Sequence, residues 1–194
     1  MKTIIQIVLV IVIIVLGYFI IQAIMEPVRF NQETAIREGK IVERLKTIRD
    51  AQVAHRTRYG VFANDLDSLV NFIKTDSLQS IVAIGTPPEG MTEEEAVRQG
   101  IVKRIVNWNP VKSEVFVGRN FPVDSLPYVP FGGGQRFEMA ASTVERGLVT
   151  VPVFQASTKP EVYMQGLRFR VYYTRMDGLR VGSLEESHVN GNWE

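Results

Sequence analysis

The sequence predicts an α+β chain: a membrane-spanning helix that continues into an amphipathic helix, packed on a small antiparallel β-sheet domain. Three observations carry this. The first 25 residues are almost wholly apolar, in a chain of 194 residues whose mean hydropathy is near zero. A run without proline from Phe30 to Tyr59 has helical apolar spacing. Beyond Leu78 the pattern changes to short apolar runs separated by turn residues. Helices gathered at the start and strands at the end read as α+β. The expected organisation is an anchor at 3–25, a helical arm at 26–60 and an α+β head at 61–194.

Bulk composition excludes several classes of function. Lys and Arg number 22 against 21 Asp and Glu, so there is no basic excess to attract nucleic acid. Cysteine is absent, which removes disulfides, thiolate nucleophiles and thiolate metal sites together. The two histidines, His55 and His188, are the only imidazoles available to a catalytic triad.

The anchor is "TIIQIVLVIVIIVLGYFIIQAIM", Thr3 to Met25, without a charged side chain. At about 1.5 Å per residue it reaches about 35 Å, enough for a hydrocarbon core of about 30 Å. A secretory signal peptide would have a shorter apolar core and small residues before the cut. Here the exit reads Gln22-Ala23-Ile24-Met25-Glu26-Pro27, so an uncleaved single-pass anchor is expected. The Lys/Arg count does not by itself orient it. Arg29, Arg37 and Lys40 follow the span, and only Met1 and Lys2 precede it. So short a leading segment fits a signal-anchor that exports the chain beyond it. The expected location is the bacterial inner membrane, with the soluble part on the extracytoplasmic, periplasmic side.

Pro27 marks a kink at the membrane exit or the first turn of a new helix. In the arm, Ile41, Leu45, Ile48, Gln52 and His55 fall four, three, four and three residues apart, and Val42, Ala51 and Ala54 widen the stripe. Lys40, Glu43, Lys46, Arg49, Asp50 and Arg56 make the opposite face. Such a stripe needs a cover, either the chain's own head or a partner. Leu45, Ile48 and Gln52 are therefore candidate interaction residues: exposed, they form an assembly surface; covered by the head, they make the arm a scaffold.

Gly60 after Tyr59 supplies the left-handed residue that stops a helix. Asn64 is the expected N-cap of a second helix, with Asp65 and Asp67 in its first turn and Leu66, Leu69, Val70 and Ile73 as its stripe. "SIVAIG" reads as a strand, Pro87-Pro88-Glu89-Gly90 as a turn, and Thr92 with Glu95 as a capping box that opens a short helix through about Gln99. "IVKRIVNW" and "EVFVG" read as strands around Asn109-Pro110, "LPYVPF" as extended chain, then "RFEMAAS", "LVTVPVFQA" and "EVYM" as further short runs. "LRFRVYYT" alternates as a half-buried strand, and Asp177-Gly178 turns the chain into Arg180-Val181.

A resemblance rests on the anchor, "IRDAQVAHRTRYGVF" and "DLDSL". Over roughly residues 3–73 this layout resembles type IV pilins and pseudopilins, whose long N-terminal helix leaves the membrane and ends in a similar Tyr-Gly-x-Phe/Tyr turn. The resemblance implies a pilin-like outline and a part in an envelope assembly. The chain departs from that family in lacking the Gly before the cleaved bond and the Glu five residues into the mature helix. Separately, "KTDSL", "LPYVPFGGGQRFEMAA", "VTVPVF" and "LRVGSLEESHVNGNWE" are similar to an uncharacterised family of bacterial single-pass membrane-anchored proteins. That resemblance implies no activity.

No constellation of residues points to catalysis, a cofactor or a metal. His55 reads as structural and His188 as solvated. Glu93, Glu94 and Glu95 point in different directions on one helix and read as helix-start charges. Asn64, Asp65 and Asp67 lack the mid-loop Gly and terminal Glu of a calcium loop. "FGGGQR" lacks the Gly-Lys-Ser/Thr of a phosphate loop. Arg168, Arg170, Tyr172 and Arg175 form the most basic and aromatic stretch, a candidate surface for an acidic partner. The sequence therefore leads to a non-enzymatic, membrane-anchored structural or assembly subunit without a cofactor. Its expected partners are the membrane, other envelope proteins or further copies of itself, and not nucleic acid. The competing reading is a membrane-tethered exported ligand-binding domain or enzyme.

Overall fold

The computed structural model describes residues 2–117, 121–167 and 173–194. It combines helix and small antiparallel sheets behind one long apolar N-terminal helix. Helix α1 runs unbroken over Lys2–Tyr59, 58 residues, about 87 Å at about 1.5 Å per residue. Its N-terminal half projects from the rest of the chain with every side chain up to Met25 exposed or nearly so, and the first buried residue is Phe30. This helix is long and apolar enough to cross a membrane. The new helix that Pro27 could have opened does not form: α1 passes through Pro27 as one helix. Pro27 has no N–H to donate, so the carbonyl four residues earlier loses its helical partner there.

The second half of α1 is amphipathic and buries Ile41, Leu45, Ile48, Ala51 and Gln52 completely. The helix stops at Gly60, whose φ of 78° closes the last turn, with its N–H donating to Arg56 O at 2.8 Å. Helix α2 follows at Leu66–Thr75. Its N-cap is Asp65 rather than the expected Asn64. Asp65 Oδ1 accepts from the Ser68 N–H at 2.8 Å and Oδ2 from the Ser68 hydroxyl at 2.7 Å. Asp65 takes the cap because its carboxylate reaches both donors of Ser68, three residues on, and Leu66 is then the first helical residue and is buried.

Strands β1 (Ser77–Ile84) and β2 (Lys103–Pro110) form a two-stranded antiparallel ribbon, from Ser77 opposite Pro110 to Ile84 opposite Lys103. Between them sits α3, Glu93–Arg98, with the expected capping box. The Glu95 N–H donates to Thr92 Oγ1 at 3.3 Å, and the Thr92 N–H to Glu95 Oε2 at 3.2 Å. The next element differs from expectation. Of "EVFVG", the described residues 114–117 are not a strand, because Val111–Val115 is helix α4. Val111, Val115 and Phe116 all enter the core, a one-turn spacing that burial selects over the local β preference. A 3-10 turn at Val123–Ser125 then leads into a tight loop, closed by an antiparallel bridge between Tyr128 and Arg136. Two ion pairs tie this region to α2, Lys74 to Asp124 and Arg136 to Asp67.

Strands β3 (Glu138–Arg146) and β4 (Val149–Thr158) make a long hairpin, and β5 (Leu179–Ser183) pairs with Phe154–Thr158. The sheet order is β3-β4-β5. Pro152 is tolerated within β4 because β5 ends opposite Phe154, leaving Pro152 bonded on one side only. The "EVYM" run is likewise not extended: Pro160–Tyr163 is helix α5, opened by Pro160 at its first position. Of the alternating stretch expected as a strand, Arg168–Tyr172 lies outside the described residues, and Tyr173 is buried in a helical turn. The C-terminal tail folds back on the sheet: Gly191 bridges Val181, and Trp193 packs on the core.

One core joins α1, α2, α4, α5 and the β3-β4-β5 sheet. The buried stripe of α1 meets α2, α4, β4 and β5. The arm is therefore the central element of the head rather than a stalk beneath it.

Candidate functional site

The residues singled out on the arm do not form a surface. Leu45, Ile48 and Gln52 are completely buried by the chain's own head. This corrects the expectation of an assembly seam there. Gln52 shows the reason most clearly, since its amide is engaged inside the protein. Nε2 donates to Ala63 O at 2.9 Å, and Oε1 accepts from the Ala63 N–H at 2.8 Å. These two bonds fold the segment after Gly60 back against α1 and satisfy a buried peptide group that no secondary structure reaches.

Of the basic stretch, Arg168, Arg170 and Tyr172 lie outside the described residues, and Arg175 is exposed. His55 is structural in its contacts. Nδ1 lies 2.8 Å from Val61 O, and the ring packs against Tyr59 and Phe72, both at 4.9 Å. His188 is exposed and sits 3.5 Å from Glu186. Among the described residues no three His, Cys, Asp or Glu side chains converge on a metal-sized site.

Two polar clefts of about 460 and 470 Å³ open beside β4 and β5, one lined by Lys159, Asp177, Arg180 and Asn192 and the other by Arg180, Glu185 and His188. Two further features carry apolar surface to solvent. The first is a cleft of about 350 Å³ between α1 and the 121–131 segment, lined by Lys40, Arg44, Phe116, Phe121 and Phe131. Its cation is already engaged. The Arg44 guanidinium lies 4.6 Å from the Phe121 ring centroid and donates to the carbonyls of Ser125 and Tyr128. Phe121 in turn stacks on Phe116. The neighbouring charges, Lys40 and Glu43, pair with each other at 3.5 Å in the open. The cleft thus offers apolar shape without a free polar anchor.

The second feature is the β1–β2 ribbon, which the sequence pattern does not single out. Ile81, Val82, Ile84, Ile105, Val106 and Trp108 are all exposed on it. Successive residues point to opposite faces, so both faces carry apolar side chains. The signal was present in "SIVAIG" and "IVKRIV", whose apolar runs do not alternate with polar residues. Such runs are expected of strands covered on both sides, and here neither side is covered.

The N-terminal end of the arm is clamped to α5. Arg37 Nη1 donates to Tyr163 O at 2.7 Å and to Gln165 O at 3.0 Å. Tyr163 is completely buried, and its hydroxyl donates to Glu38 Oε1 at 3.3 Å. Burial, with the Glu38 charge beside it, pushes the Tyr163 hydroxyl far above its ordinary range. Desolvation also raises Glu38, while the Tyr163 hydrogen bond partly offsets that rise. A raised carboxyl pKa means that the folded chain holds the proton more tightly than the unfolded one. The stability it contributes is present below about pH 4.5 and is lost as pH rises through the raised value. Asp65 and Glu194 are shifted downward and act in the opposite sense. The readout is therefore a difference. Between pH 4 and pH 7, unfolding curves should show the wild type losing stability relative to Glu38→Gln, by a small amount because Glu38 is partly exposed. Parallel pH profiles for the two chains would refute the assignment.

Searches against family models, curated proteins and solved structures return no match for this chain.

Proposed function

We propose that this chain is a single-pass, membrane-anchored structural or assembly subunit of the bacterial envelope. Its head lies on the periplasmic side, its outline is pilin-like, and it works through protein contacts rather than catalysis. The observation that carries this reading is the continuity of α1. An apolar run with no partner inside the chain extends without interruption into the helix that forms the centre of the head. A head fused to its span in this way has its position and tilt set by the membrane, which suits a scaffold.

With Leu45, Ile48 and Gln52 inside the core, assembly contacts fall to the apolar half of α1 and to the exposed strands of the head. Brief chemical crosslinking in cells, detergent extraction and mass spectrometry test the reading. The expected result is capture of other envelope proteins or of further copies of the chain. Recovery of a lone monomer under conditions that trap known envelope complexes would overturn it.

A further inference from the structure

The ribbon has little support from the rest of the described chain. A two-stranded hairpin is marginal in water on its own and gains stability from a third strand or a covered face. Among the described residues, β1 and β2 pair only with each other. Both outer edges therefore present backbone N–H and C=O groups without a strand partner, beside exposed Ile81, Val106 and Trp108. Edge strands that are not meant to pair are normally blunted by proline, a bulge or well-placed charges. From Lys103 to Asn109, β2 has no proline, and its register against β1 runs without a bulge. Its only charges, Lys103 and Arg104, sit together at one end.

We propose that β2 pairs antiparallel with β2 of a second copy about a two-fold axis at Val106, joining two ribbons into a four-stranded sheet. This deepens the assembly reading above and rests on it. The strand sequence, KRIVNWNP, argues for that occupant and that centre. Two-fold pairing about Val106 sets Arg104 opposite Trp108 of the other copy, in both directions, and Val106 opposite itself. Each indole is 53% exposed and has Arg58 at 4.9 Å, and cross-strand pairing brings it the second copy's Arg104 already neutralised by its ion pair with Glu93 at 3.1 Å. Lys103 falls opposite Asn109 and Ile105 opposite Asn107, so no two like charges fall opposite each other in the ladder. The ladder ends at Asn109, leaving Pro110, which lacks an N–H, just outside it. Moving the centre by two residues toward either end would bring Pro110 into the ladder or set Arg104 against itself.

The area involved is modest. Edge-to-edge pairing covers only the outer backbone edge of β2 and the flanks of Ile105, Val106 and Trp108, well below the about 800 Å² per partner of a standard stable interface. Tethering offsets this shortfall, because two copies anchored in one membrane meet at a high effective concentration. The dimer is therefore a membrane species that dilution in detergent dissolves.

Self-pairing at one residue gives a test that a general loss of hydrophobicity cannot imitate. Two differently tagged full-length copies are co-expressed, crosslinked in membranes, and one tag is captured and probed for the other. Val106→Glu in both copies, or Val106→Lys in both, should reduce capture at least tenfold, since like charges then face each other. Val106→Glu in one copy with Val106→Lys in the other should restore it to near the wild-type level. Val106 is 46% exposed, so these changes leave the head folded. Unchanged capture with Val106→Glu in both copies would overturn the ribbon dimer, as would a mixed pair as weak as the matched ones. If other envelope proteins are still captured in that case, the assembly reading survives. If wild-type chains capture nothing at all, both fall.

Discussion

Gln52→Ala should destabilise the full-length protein by about 3–5 kcal/mol. The substitution removes the donor for Ala63 O and the acceptor for the Ala63 N–H at once. Ala63 is buried, so its peptide groups have no water to turn to. Each orphaned buried group costs about 1–3 kcal/mol, and the vacated side-chain volume adds to this. Gln52→Glu separates the two bonds. It keeps an acceptor for the N–H but sets a carboxylate against Ala63 O, so its defect should be larger at pH 7 than at pH 4. Denaturant unfolding in detergent micelles, followed by tryptophan fluorescence, measures both. Trp193 packs on the core and reports on the head. Val53→Ala, one position away on the exposed face of α1, is the control. A Gln52→Ala defect no larger than that of the control would mean that the amide does not hold the 60–65 turn.

Leu45→Ala is expected to cost about 2–5 kcal/mol, the range for a large-to-small change at a fully buried site. Ile36→Ala, two and a half turns earlier on the same helix and 60% exposed, should change stability by less than about 0.5 kcal/mol. The comparison decides between two roles for the arm. If the seam were an intermolecular surface, Leu45→Ala would weaken complexes and spare the monomer. With the seam sealed by α2, α4, β4 and β5, the monomer itself should weaken. Equal and negligible effects of Leu45→Ala and Ile36→Ala on unfolding would return the seam to the surface.

The two substitutions also locate what was legible in the chain. The helix over the anchor and arm, its stop at Gly60 and the box at Thr92 and Glu95 all depend on neighbours within one or two turns. Local physics is sufficient for them. Asp65 in place of Asn64 is a shift of one residue, with the Asp65 carboxylate accepting from Ser68 and Leu66 opening the helix in the core. The helices at Val111–Val115 and Pro160–Tyr163 differ from their local signal for a related reason. Both segments are rich in residues that favour strands, and both are bent into single turns by burial of Val111, Val115 and Tyr163 in a core assembled from distant parts of the chain.

The candidate surface was the harder part. An apolar run reads the same whether it is buried on both faces or bare on both, because periodicity records which side chains avoid water, not whether anything is there to cover them. That ambiguity hid the β1–β2 ribbon and gave Leu45, Ile48 and Gln52 a surface role they do not have.

By itself, the sequence determined that a charge-free span long enough for a membrane leads into an amphipathic helix, and that this helix stops at Gly60. Those features depend on length, composition and spacing along one segment. Only the tertiary structure decided what lies against the stripe, that Gln52 closes on Ala63, and that the ribbon stands uncovered. Each of these depends on which segments, far apart in the chain, bury each other's apolar surface, and burial is a property of the pair.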